Sequence, residues 1–310
     1  MPKILFVAAD PRPERWTNEI EREHPEAEVI VWKDDGQVHD AEYAVVWRPP
    51  ANLFARERRL KALFNLGAGV DGLLGLEALP AGVPIIRLED AGMSVQMAEF
   101  VIHQVVERTR DMAVYREQQR EGLWRIHRPI ERSKWPVGVL GLGHIGARVA
   151  RSLAALDYPV AGWVRSEREL GGIEVFSGKA GLQAMLARTR IVVNTLPLTD
   201  ETRDIMDHAF FSALLPGAVL INVGRGEHLV EEDLLRAIVD EHVAAATLDV
   251  FREEPLPAEH AFWRTPQITI TPHVSARTLR EATIAQIVAK IRNMEAGAAV
   301  SGAVDPARGY

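Results

Sequence analysis

The sequence predicts an α/β protein of two doubly wound, parallel-sheet domains, on three observations. Short apolar runs alternate with helix-like polar segments in two separate series, the pattern of parallel sheets covered on both faces. A G-x-G-x-x-G stretch, Gly141 to Gly146, stands between the first strand and first helix of the second series. The chain has 310 residues, more than one hydrophobic core usually organises.

In the first series, strands are predicted at 4–8, 29–32, 44–47, 63–66 and 85–86, with a helix at 14–22. Ser94 reads as the cap of a long helix, 94–120, in which Val95, Ala98, Val101, Ile102, Val105 and Met112 keep helical spacing. The crossing between domains is placed along it. Residues 122–135 read as irregular and rich in Arg and Trp. In the second series, strands are predicted at 137–140, 160–164, 191–194, 219–222, 244–248 and 268–271, and helices at 145–156, 182–187 and 231–239. A final helix, 278–294, has room to pack back on the first domain. The expected boundaries are therefore 1–99 plus 280–310 for one domain and 100–279 for the other.

Composition removes several function classes. The net charge is −7, so no basic excess is available to neutralise phosphates, which argues against nucleic acid or an anionic membrane as partner. There is no cysteine, which excludes disulfides, thiolate metal sites and thiol nucleophiles and fits a reducing cytoplasm. No metal site is expected. The N-terminal apolar run stops at Asp10, too short for a signal peptide. No run approaches the ~18 apolar residues of a membrane span.

The glycine stretch has a physical reading. Gly141 allows the tight turn, Gly143 lets a pyrophosphate approach the backbone, and Gly146 lets the helix lie close on the strand. His144 and Ile145 lie inside the loop and are counted with it as cofactor contacts. The helix N-terminus adds free N–H groups and a positive dipole end. The next strand, about 20 residues on, discriminates between dinucleotides. It ends in Arg165-Ser166-Glu167-Arg168. Arg165 and Arg168 suit a 2′-phosphate and Ser166 can donate to it, so NADP(H) is expected over NAD(H). The alternative is that Glu167 holds the ribose hydroxyls and the site takes NAD(H).

Three further segments follow strands of the second series: Asn222 to Gly226, Asp249 to Pro257, and Thr271 to Ser275. Carboxyl ends of parallel strands are where open α/β sheets bind ligands. In the first domain, Gly67-Ala68-Gly69-Val70-Asp71-Gly72 also follows a strand. Its small residues allow close approach, and consecutive N–H groups can cradle a carboxylate.

Taken in order, these segments, with Met97-Ala98-Glu99 and Asn194 to Thr199, resemble the D-isomer-specific 2-hydroxyacid dehydrogenase family, and within it the glyoxylate/hydroxypyruvate reductase branch. The resemblance runs over nearly the whole chain. It implies a Rossmann cofactor domain, a flavodoxin-like substrate domain and an active site in the cleft between them. It implies reduction of a small 2-keto acid to the 2-hydroxy acid in the cytoplasm, by a homodimer joined through the cofactor domain. His273 is then the general acid/base, and Glu254 its partner, which favours the charged imidazole and fixes which ring nitrogen faces the substrate. Glu253 is the rival acid. Arg225 grips the substrate carboxylate and polarises the keto oxygen. Asp249 accepts from the nicotinamide carboxamide, and Leu196 and Pro197 line the adenine or ribose side. The N–H groups of Ala68, Gly69 and Val70 bind the substrate carboxylate, and Trp47 walls the pocket unless it is a core residue. The same scaffold also serves NAD-dependent oxidation of other 2-hydroxy acids and nucleotide-sensing corepressors; those stay as alternatives.

Overall fold

The computed structural model describes every residue except Glu77, Arg128 and Tyr310. The chain divides into two compact units: Met1–Gly92 with the C-terminal stretch from Thr278, and Met93–Arg277.

The first unit contains β1 (Lys3–Val7), α1 (Glu14–Glu23), β2 (Glu28–Val31), β3 (Tyr43–Val46), α2 (Asn52–Arg56), β4 (Ala62–Asn65), α3 (Asp71–Leu74) and β5 (Ile85–Ile86). Its strands are all parallel, in the order β2-β1-β3-β4-β5. That is the flavodoxin-like order, whose winding reverses between β1 and β3. Near-continuous burial of β1, β3 and β4 reflects a sheet covered on both faces. Leu5, Val7, Ala44, Val46 and Leu63 face one way, onto Leu53 and Phe54 of α2. Phe6 faces the other way, onto α1, where Trp16 stacks on it with ring centroids 5.7 Å apart.

The second unit contains α4 (Met93–Thr109), α5 (Met112–Glu121), β6 (Val137–Leu140), α6 (His144–Ala154), β7 (Val160–Val164), β8 (Glu174–Ser177), α7 (Gly178–Leu186), β9 (Ile191–Asn194), α8 (His208–Ala213), β10 (Ala218–Asn222), α9 (Glu231–Val239), β11 (Val243–Leu248) and β12 (Ile268–Ile270). Seven parallel strands run in the order β12-β11-β10-β9-β6-β7-β8. The six from β8 to β11 follow the Rossmann order, with the winding reversing between β6 and β9. Side chains alternate between two cores. Val139, Val193 and Ile221 pack with α4 and α6, while Leu140, Val192 and Leu220 pack with Phe210, Phe211 and Leu234 of α8 and α9.

The last helix, α10 (Arg280–Glu295), belongs to the first unit and buries Ile284, Ile287, Val288 and Ile291. It packs on α1, where the buried His24 sets Nδ1 3.2 Å from Glu26 and Nε2 3.1 Å from Glu295. After α10 the chain returns to β5, pairing Ala303 antiparallel with Ile86. Ser301 and Lys290 both bond Glu89 there, and they hold its carboxyl below the usual range, the serine hydroxyl most.

The predicted helix 94–120 is two helices. Asp111 takes a left-handed backbone, φ +51°, which no helix interior accommodates. The hydroxyl of Thr109, the last residue of α4, lies 2.9 Å from that of Tyr158, tying the end of α4 to the segment after α6. Ser94 sits buried inside the first turn of α4, one residue past its start at Met93. The crossings fall at 92/93 and 277/278, ahead of the expected 99/100 and 279/280. The whole of α4 lies in the second core, through Met97, Ala98, Val101 and Val105. Among the described residues, no helix is long and apolar enough to cross a membrane.

Candidate active site

The loop after β6 divides its work among three glycines. Gly141 has φ +84°, a turn that an L side chain rarely adopts. A Cβ at Gly146 would lie 1.8 Å from the Gly141 carbonyl oxygen, so α6 can start this close only with glycine there. Gly143 is different. Its φ is −65°, and an added Cβ would meet nothing within 4 Å. The fold itself does not need glycine at 143, whereas a phosphate approaching the backbone does. Gly143, at the cap position of α6, has no side chain to cap the helix, and a phosphate there meets the positive end of the helix dipole. Thr195 secures the turn from below: its hydroxyl donates to the carbonyls of Leu140 and Gly141 at 2.9 and 2.8 Å. Leu196 is buried against Gly141, while Pro197 is exposed. His144 is exposed and Ile145 half-buried. These residues fit a dinucleotide pyrophosphate.

The two arginines after β7 are placed differently. Arg168 donates from Nη1 to the Leu142 carbonyl at 2.6 Å, so it lies against the glycine loop. Arg165 points to Glu201, with Nη1 2.8 Å from Oε2. Ser166 and Glu167 are exposed between them.

Loops at the carboxyl ends of β10, β11 and β12 hold the reactive groups. His273 Nδ1 lies 2.9 Å from Glu254 Oε2. The other Glu254 oxygen accepts from the Phe251 N–H at 3.1 Å, which aims the carboxylate. It is Glu254, not Glu253, that meets the histidine. An imidazole held at one nitrogen by a carboxylate can give or take a proton at the other. His273 has φ +54°, a left-handed backbone that costs a side-chain-bearing residue about 1–2 kcal/mol. Asp249 holds that conformation. It is fully buried, and its oxygens accept from the Thr271 hydroxyl at 2.5 Å and from the N–H groups of Val274 and Ser275, each at 2.9 Å. Both Asp249 oxygens therefore fix the 271–275 segment that carries His273.

Arg225 rests on a buried polar network that the motifs did not reveal. Asn194, Asn222 and His228 are all 0% exposed, so each polar atom needs a partner. Asn194 Nδ2 donates to Asn222 Oδ1 at 2.9 Å and to His228 Nδ1 at 2.8 Å. The Arg225 N–H also points to His228 Nδ1, at 3.2 Å. Two donors on one nitrogen make Nδ1 the acceptor, so the proton sits on Nε2 and is donated to the Pro197 carbonyl at 3.2 Å. Asn222 Nδ2 holds the Arg225 carbonyl at 3.0 Å. The loop after β9 and the loop carrying Arg225 are thus one hydrogen-bonded piece. β10 and β12 are two strand spacings apart, roughly 10 Å, and the Arg225 guanidinium donates from Nη1 to the Gly224 carbonyl at 2.8 Å.

In the first unit, Asn65 at the end of β4 is buried and was not singled out from the sequence. Its Nδ2 donates to the carbonyls of Gly67 and Gly69 at 3.0 and 2.8 Å. In a trans peptide the following N–H points the opposite way. The amides of Ala68 and Val70 therefore face away from Asn65, and the Gly69 amide belongs to a peptide that Asn65 does not hold. Trp47, 41% exposed, lies against this loop: a Cβ at Gly67 would be 2.5 Å from its ring. It is not a core tryptophan.

Comparison with known proteins agrees with this geometry. The family described as D-isomer specific 2-hydroxyacid dehydrogenase, NAD binding domain, matches residues 102–275. A glyoxylate/hydroxypyruvate reductase A of Yersinia enterocolitica is 43% identical over 312 residues, covering 99% of both chains. A 2-hydroxyacid dehydrogenase structure from Xanthobacter autotrophicus Py2, in complex with NADPH and MES, superposes with a TM-score of 0.94 at 40% identity, over 100% of this chain and 99% of that one. An NADPH-dependent glyoxylate/hydroxypyruvate reductase from Sinorhizobium meliloti, in complex with NADP and sulfate, gives a TM-score of 0.94 at 34% identity over 100% of both. The chain belongs to the D-isomer-specific 2-hydroxyacid dehydrogenase family, in its glyoxylate/hydroxypyruvate reductase branch.

Proposed function

We propose that this protein reduces small 2-keto acids, glyoxylate and hydroxypyruvate foremost, to 2-hydroxy acids with NADPH. The observation that carries the reading is the His273–Glu254 pair at 2.9 Å, on the same sheet edge as the glycine loop and Arg225. The dinucleotide supplies a hydride to the keto carbon. Arg225 holds the substrate carboxylate and draws charge toward the keto oxygen. The protonated imidazole of His273 gives its Nε2 proton to that oxygen as charge grows there. Glu254 keeps Nδ1–H oriented. Arg165, Ser166 and Arg168 take the 2′-phosphate, which supports NADPH over NADH, and Leu196 and Pro197 lie beside the nucleotide.

In the first unit, the substrate domain of this reading, the Ala68 and Val70 amides suit a carboxylate, with the Gly69 amide between them. Trp47 on the same loop keeps the pocket short. The second unit is the dinucleotide domain. We further infer a cytoplasmic homodimer joined through the second unit. Trp124 and Ile126 support it, being 96% and 84% exposed in an irregular segment after α5.

A steady-state panel of 2-keto acids with NADPH and NADH tests the reading. The highest kcat/KM is expected for glyoxylate or hydroxypyruvate with NADPH. Failure of every short 2-keto acid to oxidise NADPH would overturn it.

A further inference from the structure

The two arginines assigned to the 2′-phosphate do not have equivalent partners. Arg168 bonds a neutral carbonyl, that of Leu142, so its positive charge stays available to an anion. Arg165 bonds a carboxylate, Glu201, at 2.8 Å. Both members of that pair are open to solvent, with side chains 44% and 66% exposed, so the pair is exchangeable and not a structural lock.

The carboxylate is nevertheless presented by a fixed segment. The Thr202 hydroxyl donates to the Pro197 carbonyl at 2.7 Å and accepts from the Thr199 N–H at 2.8 Å. The N–H groups of Thr202 and Arg203 both return to the Thr199 carbonyl. Glu201 thus stands on a closed turn directly after the loop from β9, facing the end of β7.

We propose that Glu201 is a specificity-determining residue that competes with the 2′-phosphate for Arg165. The proposal rests on the NADPH reading above and deepens it. A phosphate with about −1.5 to −2 charge and three acceptor oxygens displaces the carboxylate from the guanidinium. Glu201 then remains nearby as a like charge. Affinity for the phosphorylated nucleotide is lower than two arginines alone would give, and affinity for the unphosphorylated one is untouched. Glu201 thereby narrows the gap between the two dinucleotides.

Isothermal titration of the full-length protein with 2′,5′-ADP and with 5′-AMP, at low ionic strength, tests this. Glu201→Gln should tighten 2′,5′-ADP about threefold, in keeping with an exposed ion pair, and leave 5′-AMP unchanged. The gain should shrink with added salt and vanish in an Arg165→Ala background. An equal gain for 5′-AMP, no gain at all, or a gain that persists without Arg165 overturns the proposal. If the parent protein binds 2′,5′-ADP no better than 5′-AMP, the NADPH preference itself fails and takes this inference with it. The first set of failures leaves that preference standing.

Discussion

At the scale of single residues, the site works through partners as much as through the groups that meet a ligand. Glu254 illustrates this. Its carboxylate lies 2.9 Å from His273 Nδ1, so on the proposed reading it holds the ring with Nε2 toward the substrate. Glu254→Ala removes that hold, and kcat for reduction should fall at least about tenfold with a smaller change in KM. An unchanged kcat in a steady-state assay would show that the pair does not position the ring. Asn65 makes a second case. Without its two bonds to the Gly67 and Gly69 carbonyls, the Ala68 and Val70 amides lose their aim. Asn65→Ala should raise KM for glyoxylate about tenfold, equivalent to ~1.4 kcal/mol, with a smaller change in kcat. A lowered kcat at constant KM would argue that the loop does not bind substrate.

At the scale of elements, the glycine loop allows stability and binding to be separated. Gly143→Ala adds a methyl into open space, so its melting temperature should stay within about 2 °C of the parent while 2′,5′-ADP binding weakens at least about tenfold. Gly146→Ala drives a methyl into the Gly141 carbonyl and should cost about 1–3 kcal/mol in a denaturant titration. Equal loss of stability in both would remove the case for a ligand at Gly143. These roles were legible in the sequence because the motif lies on consecutive residues between a strand and a helix. The contact between Glu254 and His273 was legible through the family motifs that follow β11 and β12. The network under Arg225 was not. Asn194, Asn222 and His228 are separated by 28 and 34 residues, and only the β9–β10 pairing brings them together. Nothing in the local sequence around His228 distinguishes it from an exposed histidine. Secondary structure failed where tertiary contacts override pattern. The spacing of apolar residues runs smoothly through Asp111, so the break between α4 and α5 has no signal of its own. The edge strand β8, Glu174–Ser177, is too short and too weakly apolar to stand out.

At the scale of the whole molecule, the inferred dimer can be tested at one exposed patch. Leu123, Trp124 and Ile126 are exposed together beside Tyr115 and Gln119 of α5. If this patch joins two copies, light scattering should give twice the 34.4 kDa chain mass, and replacing Trp124 and Ile126 by Ser should return it to a single chain. A parent protein that already scatters as one chain would refute the dimer. The two parallel sheets were foreseeable in class, because helix-length segments between successive strands require parallel crossovers.

The left-handed backbone at residue 273 sets function against stability within a single peptide. Glycine accepts that geometry without strain, so His273→Gly should unfold at higher denaturant concentration than the parent, by about 1 kcal/mol, while losing proton transfer. Exogenous imidazole should not restore turnover to the variant, because a free ring lacks the tether that points Nε2 at the oxygen. Selection for robustness alone would therefore drift away from histidine here; on the proposed function its presence is a tolerated weakness kept for proton transfer.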